Sequence, residues 1–95
     1  MTEEQFHGAA TQIYSAEYDR DFLKYTPAIH ERIERKLSDM GMRLRKFPHQ
    51  RLKGIEAFKL RVGEYRVIYQ YDVEKNEILL IATGHRREVY KKSMS

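Results

Sequence analysis

Midway along this chain the spacing of its apolar residues changes, and that change limits the folds open to it. Between Glu17 and Tyr25, the residues Tyr18, Phe22 and Tyr25 recur at intervals of four and three, the stripe of a short helix. Thr26 suits an N-cap and Pro27 the first helical position, where a missing N–H costs nothing. The spacing then predicts a second helix with Ile29, Ile33, Leu37 and Met40 on one stripe, and Glu31, Arg32, Glu34, Arg35 and Lys36 on the opposite, solvated face. Gly41 offers a C-terminal cap, with Met42 and Leu44 placed to add a further turn.

Residues 46–54 hold Pro48 and Gly54 and no sustained period, which reads as a loop. Beyond it the period is two. Phe58, Leu60 and Val62 share one face of a strand, and Lys59 and Arg61 share the other. Gly63 and Glu64 supply a short turn, residues 65–71 a strand rich in β-branched and aromatic residues, residues 72–76 a second turn, and residues 77–83 a third strand. A short strand is expected over residues 11–16, and residues 1–10 are expected to form a flexible N-terminal segment ahead of a domain spanning residues 11–95. The order β, α, α, β, β, β implies a small single α+β domain, with an N-terminal strand and a two-helix hairpin packed on an antiparallel β-sheet meander. Tyr65, Val67, Tyr69 and Tyr71 alternate along one strand and are expected to pack against the helices.

Charge is unevenly placed. Residues 1–48 carry eight Lys/Arg against eight Asp/Glu, and residues 49–95 carry ten against six, so the whole excess lies in the half expected to form the sheet. Lys59, Arg61 and Arg66 are expected on the sheet face turned away from the helices, with Arg86 reaching it from the end of the third strand. Like charges opposed on paired strands are unfavourable, so their convergence points to an anion site. The chain has no cysteine, which removes disulfides and thiolate metal sites. His7, His30 and His49 lack Asp, Glu or Cys partners at ligand spacing, so no metal site is expected. No cofactor is implied. The start Met1-Thr2-Glu3-Glu4-Gln5 lacks a secretory pattern, and no run approaches the roughly 20 apolar residues of a bilayer span. A cytoplasmic protein with no membrane partner is expected.

The apolar run Ile78-Leu79-Leu80-Ile81-Ala82-Thr83 leads into Gly84-His85-Arg86-Arg87-Glu88-Val89-Tyr90, which brings imidazole, guanidinium and phenol groups to one rim of the sheet. Arginine forks match phosphate oxygens and stay charged at any working pH. An imidazole titrates near neutrality and suits proton transfer, and a tyrosine can stack on an unpaired base. His85 reads equally as a general base or as a hydrogen-bonded structural residue.

With Leu52-Lys53-Gly54, the stretch Phe58 to Tyr69 and the closing Gly84 to Tyr90, the chain resembles a RelE-type toxin of the RelE/ParE toxin–antitoxin superfamily, over roughly residues 11–92. The resemblance implies an endoribonuclease that cuts mRNA in the ribosome's decoding site, inhibits translation and is silenced by a cognate antitoxin. By matching motif positions it implies catalytic roles for Lys59, Arg66, Arg86 and Tyr90, with Arg61 a neighbouring basic match. His85 is a further catalytic candidate, and Lys53, Arg61 and Arg87 are candidates for RNA binding. Relatives with the strongest ribonuclease pattern carry a lysine where this chain has Ala57. Two alternatives therefore stand beside the nuclease: a ParE-like, non-enzymatic DNA gyrase poison, and a catalytically degenerate member that only binds antitoxin. The resemblance leaves the oligomeric state open.

Overall fold

The computed structural model of the protein describes residues 8–88. Its elements run β1 (Thr11–Tyr14), α1 (Ala16–Phe22), α2 (Pro27–Met42), β2 (Gln50–Arg51), β3 (Phe58–Val62), β4 (Tyr65–Asp72) and β5 (Glu77–His85). The strands form one five-stranded sheet in the order β1-β5-β4-β3-β2. The expected meander is present as β3, β4 and β5, all antiparallel, and β1 closes the far edge parallel to β5. Gln50 and Arg51, read from sequence as loop, instead pair with Lys59 and Phe58 as a two-residue edge strand. Among the described residues no helix is long and apolar enough to cross a membrane.

The junction between β1 and α1 rests on Ser15. Its Oγ accepts the Tyr18 N–H at 3.0 Å as the N-cap of α1 and donates to the Ile81 carbonyl at 2.7 Å. Its backbone N–H donates to the Leu80 carbonyl at 3.0 Å, so one residue caps a helix and fastens it to β5. Thr26 caps α2 and Pro27 opens it, as the sequence predicts. The helix runs on through Met42, past Gly41. The Gly41 carbonyl accepts the Ala10 N–H at 3.0 Å, and a side chain at position 41 would meet that nitrogen at 3.3 Å. Residues 1–7 of the segment expected to be flexible lie outside the described residues, while Ala10 is buried.

Ile33, Leu37 and Met40 of α2 bury against Leu60, Val62, Val67, Tyr69, Ile78 and Leu80, so the core lies between the helices and one sheet face. Along the same face an aromatic series links α1 to the sheet: Tyr18 stacks on Phe22, Phe22 meets Tyr25 edge-on, Tyr25 meets Tyr65 at 4.9 Å and Tyr65 meets His85 at 5.9 Å. His30 stacks on Phe22 at 4.2 Å and donates from Nε2 to the Phe22 carbonyl, pinning the helical hairpin. His49 does the same for the loop after α2. Its Nε2 faces the Leu44 carbonyl at 2.8 Å, which can only accept, so in the neutral ring Nδ1 accepts the Tyr69 hydroxyl at 2.6 Å.

One irregularity governs which residues of β5 face the helices. Ile68 pairs with Ala82 but Tyr69 pairs with Leu80, leaving Ile81 as an extra residue, a β-bulge. The alternation therefore changes phase at Ile81. Ile78 and Leu80 face the core before it and Thr83 faces the core after it, while Ala82 joins Ala57 and Ile68 in a small apolar cluster on the open face.

Two outcomes follow for stability. Tyr69→Phe removes the partner of the His49 Nδ1, and urea unfolding at neutral pH is expected to show a loss of about 1–2 kcal/mol. Burial holds the Tyr18 and Tyr69 phenols well above their ordinary value near 10. The unfolded chain releases these protons first, so stability falls as pH rises above 10, by about 1.4 kcal/mol per pH unit for each tyrosine. Urea titrations between pH 8 and 11 are expected to show that fall, with a shallower slope in Tyr18→Phe.

Candidate functional site

Period two in β3 sends Lys59 and Arg61 to the face opposite the helices, as the sequence predicts. In register, Arg61 lies directly across from Arg66 of β4, and Lys59 across from Ile68. Two guanidinium groups in that relation repel unless one is otherwise held. Arg66 resolves the conflict by folding back on its own turn: Nη1 donates to the Gly63 carbonyl at 2.8 Å and to the Tyr65 carbonyl at 2.9 Å. Arg66 is only 7% exposed, whereas Arg61 stands in solvent. On its other side Arg66 neighbours Gly84, which puts no side chain in its way. Gly63 makes the turn possible with φ of 61°, the left-handed region suited to the first central residue of this two-residue hairpin. Its missing Cβ also makes room for the Arg32 guanidinium of α2.

The backbone behind Arg66 is fixed from the helix side. Thr83 Oγ1 donates to the Arg66 carbonyl at 3.0 Å and lies 3.2 Å from the Tyr25 hydroxyl, which donates to it in turn. This chain of bonds runs from the turn between the helices, through the sheet, to the strand that carries the arginine. Burial raises the Tyr25 phenol above its usual range, which keeps the donor protonated.

Arg86 follows β5 at the same end of the sheet. Its Nε meets Glu64 Oε1 at 3.0 Å, and its backbone N–H donates to the Glu64 carbonyl at 2.8 Å. Glu64 therefore holds the strand end against the β3–β4 turn, a role for which a turn carboxylate gives no sequence signal. His85 lies 3.8 Å from the same carboxylate oxygen. Its cross-strand partner is Tyr65, and both rings lie on the helix-bearing face. The bulge at Ile81 is what turns His85 there; with unbroken alternation it would share the open face with Arg66. Arg87 is exposed, and its N–H points to His85 Nδ1 at 3.4 Å. Lys53 is exposed in the loop before β3, a strand's length away from Arg61. Tyr90 lies outside the described residues.

The structure thus brings Lys59, Arg61 and Arg66 onto one open face with Arg86 at its end, sets His85 on the other face, and leaves Lys53 at the far margin. Among the described residues no group of three or more His, Asp or Glu side chains is arranged to hold a metal ion. What the face can do is bind and polarise a phosphate: two arginines and a lysine within a few residues of strand, one arginine already desolvated and oriented.

The comparisons agree with this architecture. The family model described as the ParE toxin of the type II toxin–antitoxin system, parDE, matches residues 12–90. No curated protein matches the chain significantly. Among solved structures, the RelBE2 toxin–antitoxin complex from Mycobacterium tuberculosis superposes with a TM-score of 0.70 at 23% identity, covering 87% of this chain and 98% of that one. The isolated E. coli RelE toxin gives 0.69 at 23% identity, covering 90% and 96%. The archaeal RelE–RelB complex from Pyrococcus horikoshii gives 0.67 at 17% identity, covering 85% and 99%. The family match, with the fold shared by these structures, makes the chain a toxin of the RelE/ParE superfamily. Within it, the chain belongs to the ParE toxin family of type II toxin–antitoxin systems.

The Thr83 hydroxyl gives this site its most direct test of construction. Thr83→Val leaves the Arg66 carbonyl and the Tyr25 hydroxyl without their buried partner, and a loss of about 1–3 kcal/mol is expected in denaturant unfolding. Thr83→Ser, which keeps the hydroxyl, is expected to recover most of it.

Proposed function

We propose that this toxin is a metal-independent endoribonuclease that cuts mRNA held by the ribosome in the cytoplasm, and that a cognate antitoxin silences it. The observation that carries the reading is the cross-strand pair of Arg61 and Arg66, with Arg66 desolvated and locked by two turn carbonyls. A protein stores like charges this way where an anion is to be received, and a scissile phosphate fits the receiver.

RNA cleavage by transesterification needs three things: a deprotonated 2′-hydroxyl, charge neutralisation on the phosphorane and a proton for the 5′-oxygen leaving group. Arg66 and Arg86 supply neutralisation, since donors fixed in advance need no reorganisation as charge develops. Lys59, among cations on the same face, is the group assigned to proton transfer. Tyr90 orients the nucleophilic hydroxyl or stacks on the neighbouring base. Lys53, Arg61 and Arg87 hold flanking phosphates. His85 acts through Glu64, against which Arg86 rests, rather than as the general base.

A face this small offers few groups to organise flexible RNA. Presentation by the ribosome accounts for the rest, because orientation alone supplies as much as about 7–11 kcal/mol of a barrier. A second reading, gyrase poisoning without catalysis, is favoured by the name of the matching family and by Ala57 at the position of a relative's lysine.

Primer extension on mRNA in a reconstituted translation reaction distinguishes the two. Codon-phased cuts that need ribosomes and fall by at least about a hundredfold in Arg86→Ala and Arg66→Ala are expected. Inhibited supercoiling by purified gyrase, with mRNA left intact, would instead establish the second reading.

A further inference from the structure

The bulge at Ile81 has a second effect, on the open face. Ile81 and Ala82 are consecutive, yet both line one trough of about 350 Å³, together with Ala57 and Ile68 on its floor and Glu17 and Glu56 at its rim. In a regular strand two consecutive side chains point to opposite faces; the bulge puts them in the same depression. Ala57, Ile68 and Ala82 are buried, so the floor is apolar, built from β4, β5 and the residue that precedes β3. The Gln70 carboxamide donates to the Glu56 carbonyl at 2.7 Å, fixing the rim residue's backbone.

The trough adjoins the cations. Ile68 is the direct cross-strand neighbour of Lys59, and Arg66 lies two residues back on the same strand, about 7 Å away along β4. A ligand seated on Ile68 with an anionic group one short linkage away would place that group among Lys59 and Arg66. An apolar planar body, an edge that meets carboxylates and a phosphate at one end describe a nucleotide.

We propose that this trough is a nucleobase subsite, selecting a base with N–H donors on its Watson–Crick edge, guanine above all. The inference rests on the ribonuclease reading and names the determinant of base preference beside the scissile phosphate. Carboxylates only accept hydrogen bonds. Guanine offers N1–H and the exocyclic amine side by side and meets a carboxylate with two parallel bonds. Uracil offers a single N3–H flanked by two carbonyls, which a carboxylate repels. The aliphatic floor packs either base equally, so discrimination falls to Glu17 and Glu56.

Full-length protein labelled at isoleucine methyls and with 15N, titrated with GMP and with UMP, tests this, because the two share ribose and phosphate and differ only in the base. Both nucleotides are expected to shift resonances of Lys59 and Arg66. GMP is expected to shift the Ile68 and Ile81 methyls at about tenfold lower concentration than UMP, and Glu56→Gln is expected to remove most of that difference. Glu56 is exposed, so that variant folds; Glu17→Gln supplies a second reading of the rim. Equal methyl shifts with both nucleotides, or none with either, overturn the subsite and leave the trough to a protein partner. In ribosome assays, cuts whose base preference is unchanged in Glu56→Gln and Glu17→Gln retain the nuclease and discard the subsite. GMP-specific methyl shifts in a protein that makes no cuts retain the subsite and discard the nuclease.

Discussion

Much of this molecule turns on one extra residue in β5. Because Ile81 opposes no residue of its own on β4, everything before it faces the helices in one phase and everything after it in the other. Leu80 and Thr83 can both be core residues only because of that slip, and Thr83 can then reach both Tyr25 and the Arg66 carbonyl. The same slip clears His85 from the open face, sets Gly84 beside Arg66 and brings Ile81 and Ala82 into one depression. A bulge bends a strand and breaks one rung of its ladder, which costs stability. Here the Ser15 side chain and backbone bond the Ile81 and Leu80 carbonyls, so the irregular stretch is braced by the start of α1.

Holding like charges together without a ligand present is the second problem this fold solves. Arg61 remains in water, where its charge is cheap. Arg66 is taken out of water and given two carbonyl acceptors from a turn that only a glycine at position 63 forms without strain. Arg86 is held by the carboxylate of Glu64 in the β3–β4 turn, at the edge of the group. The arrangement keeps positive potential on the open face while Arg66 and Arg86 each have a fixed seat.

Elements with local signals were legible in the sequence. Thr26-Pro27 and the stripe Ile33, Leu37 and Met40 marked α2, and strict alternation from Phe58 to Val62 marked β3 together with the outward direction of Lys59 and Arg61. The tyrosines of β4 pack toward the helices as their period implies: Tyr69 is buried, Tyr65 meets Tyr25 and Tyr71 stacks on His49. What could not be read was non-local. β2 is a strand only by virtue of its pairing, and β1 is placed by β5, more than sixty residues later in the chain. Six consecutive residues from Ile78 to Thr83 carry almost no polar marker, so no alternation reveals where the phase changes, or that His85 turns to the helix-bearing face while Lys59, Arg61 and Arg66 line the other. The burial of Arg66 and the clasp of Glu64 were equally hidden, because both depend on how a turn folds back.

The parallel pairing of β1 with β5 joins the first strand of the fold to its last. Contacts of such large sequence separation form slowly, because a long loop must be closed before it is rewarded. During synthesis the strand that begins the sheet has no place to dock until residues 77–80 have been added. The helical hairpin and the β3–β4 pair can form early, but the other edge of β4 stays open until β5 has been added. A chain of this topology therefore completes its sheet only when β5 docks between β1 and β4, and until then one edge of β4 stands unpaired.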